Sequence, residues 1–309
     1  MTANDTSSSG NLSAERKRSR AALVGAFQTR TIEESAPELL PYIGPGMSVL
    51  DIGCGPGSIT MGVANVVTPG EVIGTDPSGY SIDEASRNAR DAGIENVKFE
   101  VDTTGWGNRI DFPDNTFDVV YCNTVMHFFI DPIHVLKEMK RITKNGGWVI
   151  TSGVRDWGFS PRYPECPHVD AVWNAYVKYN DSLREHYNAG GDVAVPQDRA
   201  TPELSYIDLQ TGRKCSEWFT EAGFTDLTME LKVQNWRGLG TEPLEPIMLD
   251  IVPKPGDAES QWLDAQQDII DAGLLTDNMI KLAQQELAAW YANPHAFYYY
   301  AVLLVASRA

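Results

Sequence analysis

From Ser48 to Gly153 the chain repeats one pattern: a short apolar run, a turn, then a helix-length segment with one apolar face. SVLDIG (48–53), EVIGTD (71–76), NVKFEVD (96–102), FDVVYCN (117–123) and WVITSG (148–153) read as strands. SITMGVANVV (58–67), SIDEASRNARDAG (81–93) and PIHVLKEMKRITKNGG (132–147) read as helices, the last two stopped by glycine. Strands separated by helices of this length pair in parallel, and their sheet is covered on both faces.

The alternation stops after Gly153. Residues 154–168 are rich in proline and aromatics, and a helix is predicted over 168–188, where Val169, Val172, Trp173 and Tyr176 recur at helical spacing. A short helix at 215–224, a strand near 225–235, helix over much of 258–290 and a last strand near 296–307 follow. Upstream, residues 1–13 read as a flexible polar segment, and helices are predicted at 14–27 and 31–40, with Ile32, Ala36 and Leu39 on one face of the second. The expected organisation is one domain over 14–309, with a ligand-binding core at 48–153 and a mainly helical, variable cap at 154–215.

Chemistry concentrates where the strands end. VLDIGCGPG (49–57) places Asp51 near the tip of the first strand and then Gly53, Gly55 and Gly57. Such a loop lets a ligand approach the backbone closely. A dinucleotide-binding GxGxxG loop would need glycine where Ser58 stands, and no GK[ST] follows for a phosphate loop. A carboxylate at Asp51 suits a ligand carrying an ammonium group. Asp76 ends the second strand, where an acid can accept from both hydroxyls of a ribose. Asp102 ends the third and Asn123 the fourth. Any one of these residues is equally a turn or helix cap; four in succession on one sheet edge converge in space.

Over 48–153 the chain resembles the class I S-adenosylmethionine-dependent methyltransferases, in particular the ubiquinone/menaquinone-biosynthesis type and its small-molecule relatives. VLDIGCGPG is similar to the first family motif, VIGTDPSGYSIDEA to the second, and DFPDNTFDVVYCNTVMHFFIDPIHVLKEMKRITKNGG (111–147) to the segment through the fourth strand. The resemblance implies a Rossmann-like, mostly parallel seven-strand sheet with an antiparallel last strand. It also implies S-adenosyl-L-methionine as cofactor, with Asp76 and Pro77 at the ribose and Asp102 and Thr103 at the adenine. The stretch VDTTGWGNRIDFPD (101–114) is longer than the corresponding family link, and Trp106 within it either stacks near adenine or covers the loop.

The expected reaction is methyl transfer to a small, hydrophobic or aromatic acceptor. The alternatives are a methyltransferase-fold enzyme that cyclises or rearranges its substrate, or a non-catalytic binding partner. His127, just beyond the fourth strand, is the base candidate, its ordinary pKa suiting proton transfer near neutrality; the competing reading packs it among Met126, Phe128 and Phe129. Tyr163, His168 and His186 are further candidates. Trp157, Phe159, Tyr163, Trp173, Tyr176 and Tyr187 either line the acceptor pocket or close a core.

A net charge of -17 disfavours nucleic acid and anionic membranes as partners. Cys54, Cys122, Cys166 and Cys215 are widely spaced, which favours free thiols over a disulfide scaffold or a metal site. No apolar run reaches membrane-span length. A cytoplasmic protein is expected, with a small-molecule substrate and with a homodimer left open.

Overall fold

The computed structural model describes residues 29–102, 109–156, 161–190, 206, 208–237 and 263–309. The segments read as flexible (1–13) and helical (14–27) lie outside these residues, as do Thr103, Trp106, Trp157 and Phe159.

The core elements run β1 (Val49–Ile52), α2 (Ser58–Val67), β2 (Val72–Asp76), α3 (Gly79–Asp91), β3 (Val97–Val101), β4 (Phe117–Asn123), α4 (Pro132–Ile142) and β5 (Thr143–Arg155). A short helix α1 (Ile32–Ser35) precedes them. After them come β6 (Arg162–Tyr163), α5 (Pro167–Asn188), α6 (Thr211–Glu221), β7 (Thr228–Arg237), α7 (Leu263–Asp271), α8 (Asp277–Ala292) and β8 (Phe297–Arg308).

The sheet order is β3-β2-β1-β4-β5-β8, with β7 on the far side of β8. The first five strands pair in parallel, and β8 runs antiparallel to both β5 and β7. These are the seven strands expected from the sequence. The two-residue β6 adds to them by pairing with β8 beyond the end of β5.

Alternate residues of each strand serve opposite faces. Leu50, Val120, Val149 and Leu303 bury against α4 and α6 through Leu136, Met139, Trp218 and Phe219. Val49, Val119, Ile150 and Leu304 bury against Val63 and Val67 of α2 and against Ile32 and Leu39. Apolar burial on both faces explains why the strands read as near-continuous apolar runs.

Two helix boundaries differ from the sequence reading. The helix expected over 31–40 ends at Ser35, and Pro37–Tyr42 forms a tighter 3-10 turn. Ala36 precedes a proline and leaves the helical region, as that position favours; Ile32, Ala36 and Leu39 are nevertheless all buried. The helix expected over 132–147 ends at Ile142, because the β-branched Thr143 is already extended and pairs with Phe117. The two glycines that looked like a helix stop lie inside β5, and a Cβ on Gly147 would meet the Asp118 carbonyl at 2.6 Å.

The cap has its own core. Val169, Val172, Trp173 and Tyr176 of α5 pack with Ile269 of α7, Ala283, Leu287 and Trp290 of α8, and Tyr298 of β8. Trp173 and Tyr176 therefore close a core, whereas Tyr163 is exposed and stacks on Phe297. Trp173→Ala is expected to lower unfolding free energy by about 3–5 kcal/mol, and Tyr163→Ala by less than about 1 kcal/mol, in urea titrations. Equal losses would contradict this assignment.

Candidate functional site: the strand tips around the glycine loop

The loop after β1 folds against β2. The N–H groups of Gly53 and Cys54 both donate to the Thr75 carbonyl, at 2.7 and 2.9 Å. That close approach holds Gly53 at φ 77°, where a Cβ would lie 2.5 Å from a Val125 methyl. Gly57 is equally enclosed, by Phe99 and Ala85. Gly55 differs: its φ is 54°, and no atom stands within 4 Å of where its Cβ would be. Two of the three glycines thus answer to packing, and the third faces open space.

Asp76 closes the loop from β2. Its Oδ2 accepts from the Gly55 N–H at 3.1 Å and its Oδ1 from the Ser78 N–H at 2.8 Å. Pro77 beside it is buried. Ser78 caps α3 through its hydroxyl. Asp102, half-buried at the next strand tip, donates its N–H to the Asp76 carbonyl at 3.0 Å. The structure thus brings Gly53, Gly55, Gly57, Asp76, Pro77 and Asp102 together along one edge.

Asp51 lies below this edge. Its Oδ2 accepts from Thr60 Oγ1 at 2.6 Å and Tyr121 Oη at 2.7 Å, and it is 2% exposed. Burial raises its pKa to about 6 against the opposing pull of these two bonds, and the Asp76 charge adds to the rise. The same burial, with the Asp51 charge alongside, pushes the Tyr121 phenol well up. Neither Thr60 nor Tyr121 was singled out in the sequence, because their link to Asp51 depends on the β1–β4 pairing that sets Asp51 opposite Tyr121.

At the tip of β4, Asn123 Nδ2 donates to Ser152 Oγ on β5 at 2.7 Å, and its Oδ1 accepts from Thr124 Oγ1 at 3.0 Å. Thr124 has φ 58°, a conformation that costs a β-branched residue about 1–3 kcal/mol. Gly153 makes room for it, since a Cβ there would lie 2.4 Å from Thr124 Oγ1. This strained tip has no sequence signature beyond the glycine.

His127 sits in a 3-10 turn, Met126–Phe128, just past this tip. It is 2% exposed, its ring centroid lies 4.1 Å from that of Phe128, and its carbonyl accepts from the Asp208 N–H at 2.7 Å. Asp208 also receives Lys214 at 3.0 Å and Arg184 of α5 at 3.2 Å. Arg184 lies over the rings of Tyr206 and Trp218. These contacts tie α5 and α6 to the turn that carries His127.

All four cysteines are free thiols, and among the described residues no group of three His, Cys, Asp or Glu side chains could hold a metal ion. Among them, too, no helix is long and apolar enough to cross a membrane.

A parallel sheet of this order, with a glycine loop and acidic strand tips on its carboxyl edge, is the arrangement of the class I methyltransferase fold. A family model described as "Methyltransferase domain" matches residues 43–222, more than half the chain, and the chain belongs to that family. It is 40% identical over 126 residues to an uncharacterized methyltransferase of Schizosaccharomyces pombe, covering 39% of this chain and 44% of that protein. It is 34% identical over 162 residues to a probable methyltransferase of Aspergillus luteorubrus, covering 49% and 54%. A demethylmenaquinone methyltransferase of Bacillus cytotoxicus is 37% identical over 107 residues, covering 34% and 44%. The chain spans about half the length of these curated relatives. The solved structure of the YcgJ protein of Bacillus subtilis shares the fold at TM-score 0.53 and 18% identity, covering 89% of this chain and 98% of that one.

The buried Asp51 carboxyl titrates near 6 in the folded chain and near 3.9 when unfolded, so folding takes up a proton between those values. Its contribution to stability therefore falls as pH rises from about 4 to about 6. Asp51→Asn retains an acceptor oxygen for Thr60 and Tyr121 without the charge. It is expected to stabilise the ligand-free protein by about 1–2 kcal/mol near pH 7.5, with the gain vanishing toward pH 4, in chemical unfolding across pH. A gain that is flat with pH would contradict the assignment. Gly53→Ala is expected to cost about 2 kcal/mol or more, and Gly55→Ala about 1 kcal/mol; the reverse order would contradict the loop geometry.

Proposed function

We propose that this chain transfers a methyl group from S-adenosyl-L-methionine to a small acceptor of hydrophobic or aromatic character. The observation that carries the reading is the pairing of Gly55, which faces open space, with the Asp76 carboxylate that fixes it. S-adenosyl-L-methionine fits the residues present. A carboxylate offers about four lone-pair sites, so Asp76 can accept from ribose hydroxyls as well as from the backbone. The open side of Gly55 gives the amino-acid portion close access to the backbone, and the Asp51 charge lies beneath the same loop. Asp102 and Thr103 are assigned to the adenine, Pro77 to the ribose turn, and Asn123 to the boundary between cofactor and acceptor.

When bound, the cofactor supplies an electrophilic methyl group on a cationic sulfur. The chain's own task is then to hold an acceptor in line with that methyl and to keep water away. In this reading 48–153 is the cofactor core. The segment 154–215 is the acceptor cap, held to the β4 tip through Asp208. His127 is the candidate base for an acceptor that must lose a proton; its enclosure means that acceptor entry must open the 126–128 turn. The two fungal methyltransferases and the demethylmenaquinone enzyme support the reaction class.

Calorimetry with S-adenosylhomocysteine tests the cofactor assignment. Asp76→Ala is expected to weaken binding by about 1–3 kcal/mol while the fold persists. Unchanged affinity would remove Asp76 from the ribose site. Mass spectrometry of acceptor reactions tests the chemistry: the product should be heavier than its acceptor by one CH2, and a product of unchanged mass would indicate rearrangement instead.

A further inference from the structure

The far edge of the sheet carries a feature unrelated to the cofactor. β7 is an edge strand: it pairs with β8 along its whole length, and among the described residues no strand takes its other edge. It contains no proline, and its pairing with β8 has no bulge. Long flat edges of this kind invite a second chain unless they are blunted.

The side chains sharpen this. Met229, Leu231 and Val233 alternate along β7 and so share one face. Their partners across the ladder are Val305, Leu303 and Ala301. Val305 and Leu303 are buried in the core beneath α6. The apolar face of the sheet therefore runs on into β7 but is left open there: Met229 is 50%, Leu231 64% and Val233 63% exposed. One exposed leucine is ordinary; three consecutive positions on one face of an open edge form a stripe.

The opposite face of β7 carries Glu230 and Lys232. Lys232 meets Glu38, which is 6% exposed, at 2.7 Å, yet Lys232 remains 46% exposed itself. A lysine ammonium has three donors and can serve a second carboxylate.

We propose that β7 is the interface of a homodimer, in which the β7 strands of two copies pair antiparallel about a two-fold axis through Leu231. The sequence is self-complementary about that residue. Leu231 meets its own copy, Met229 lies opposite Val233, and Glu230 lies opposite Lys232 on both sides of the axis. An isologous contact demands this kind of match. A shift by one residue would set each apolar side chain on the polar face of its partner. The result is one continuous sheet through both subunits, with the apolar stripes adjoining. The glycine loop lies several strands away, so the contact leaves the cofactor edge open.

Sedimentation equilibrium of the full chain, with and without charge changes, tests this. The parent protein is expected to dimerise reversibly. Glu230→Lys places two like-charged pairs across the axis and should weaken self-association by roughly tenfold. A second variant combines Lys232→Glu with Glu38→Gln, so that no unpaired carboxylate remains beneath it, and should be weakened similarly. Mixed together, the two variants form only opposite-charge pairs and should associate as a heterodimer with near-parental affinity. Under mild oxidation Leu231→Cys should give a covalent dimer, and Met229→Cys should not, because its counterpart is residue 233. A parent that stays monomeric at all concentrations overturns the proposal, as it would if another segment of the same chain covered β7. A dimer indifferent to these charge reversals, or one cross-linked better through Met229→Cys, overturns it equally.

Discussion

The Asp76 carboxylate is the constraint on which the rest of the site depends. One of its oxygens holds the Gly55 amide of the β1 loop and the other the Ser78 amide that opens α3. A charged acceptor bound to two backbone donors is stronger than a neutral one. It sets the loop and the helix start at fixed positions relative to the sheet edge. The loop is fixed a second time from below, by the Gly53 and Cys54 amides on the Thr75 carbonyl. Rigidity here suits the proposed binding of a cofactor. A crevice organised before its ligand arrives spares the ligand the cost of ordering it.

Beneath that edge the sheet buries a second carboxylate, Asp51, at some cost in stability near neutral pH. Its bonds to Thr60 on α2 and Tyr121 on β4 satisfy the group but do not remove the desolvation that raises its pKa. A neutral acceptor there would serve the same two hydroxyls without that cost. A negative charge kept under a glycine loop is consistent with a site for a cationic ligand, and the strained Thr124 immediately after the neighbouring strand is a second such expense at the same edge.

Much of this was legible in the sequence, for definite reasons. Strands such as VLDI and FDVVYCN are largely apolar and are separated by helices, so their burial in a parallel sheet followed from the pattern. The antiparallel β8 followed from the family resemblance and its apolar run. Partnerships made across strands were not legible. Nothing in the order of residues tells that Tyr121 hydroxyl meets Asp51, that Asn123 spends its amide on Ser152, or that Gly153 exists to accommodate Thr124. The role of the cap aromatics was not legible for a related reason. Helical spacing of Trp173 and Tyr176 identifies a buried face of α5, but the spacing is the same whether that face meets a ligand or α8. Helix ends failed where a local preference overrode the pattern, as at Ala36 before Pro37 and at the β-branched Thr143.

The central claim is that the strand tips around Gly55 and Asp76 form the binding site for S-adenosyl-L-methionine. A crystal structure of the full chain grown with S-adenosylhomocysteine tests it most directly. The account predicts the homocysteine portion over the Gly53–Gly57 loop, both ribose hydroxyls within hydrogen-bond distance of the Asp76 carboxylate, and the adenine beside Asp102. A ligand bound elsewhere, or lying on this edge with its ribose away from Asp76, would contradict it.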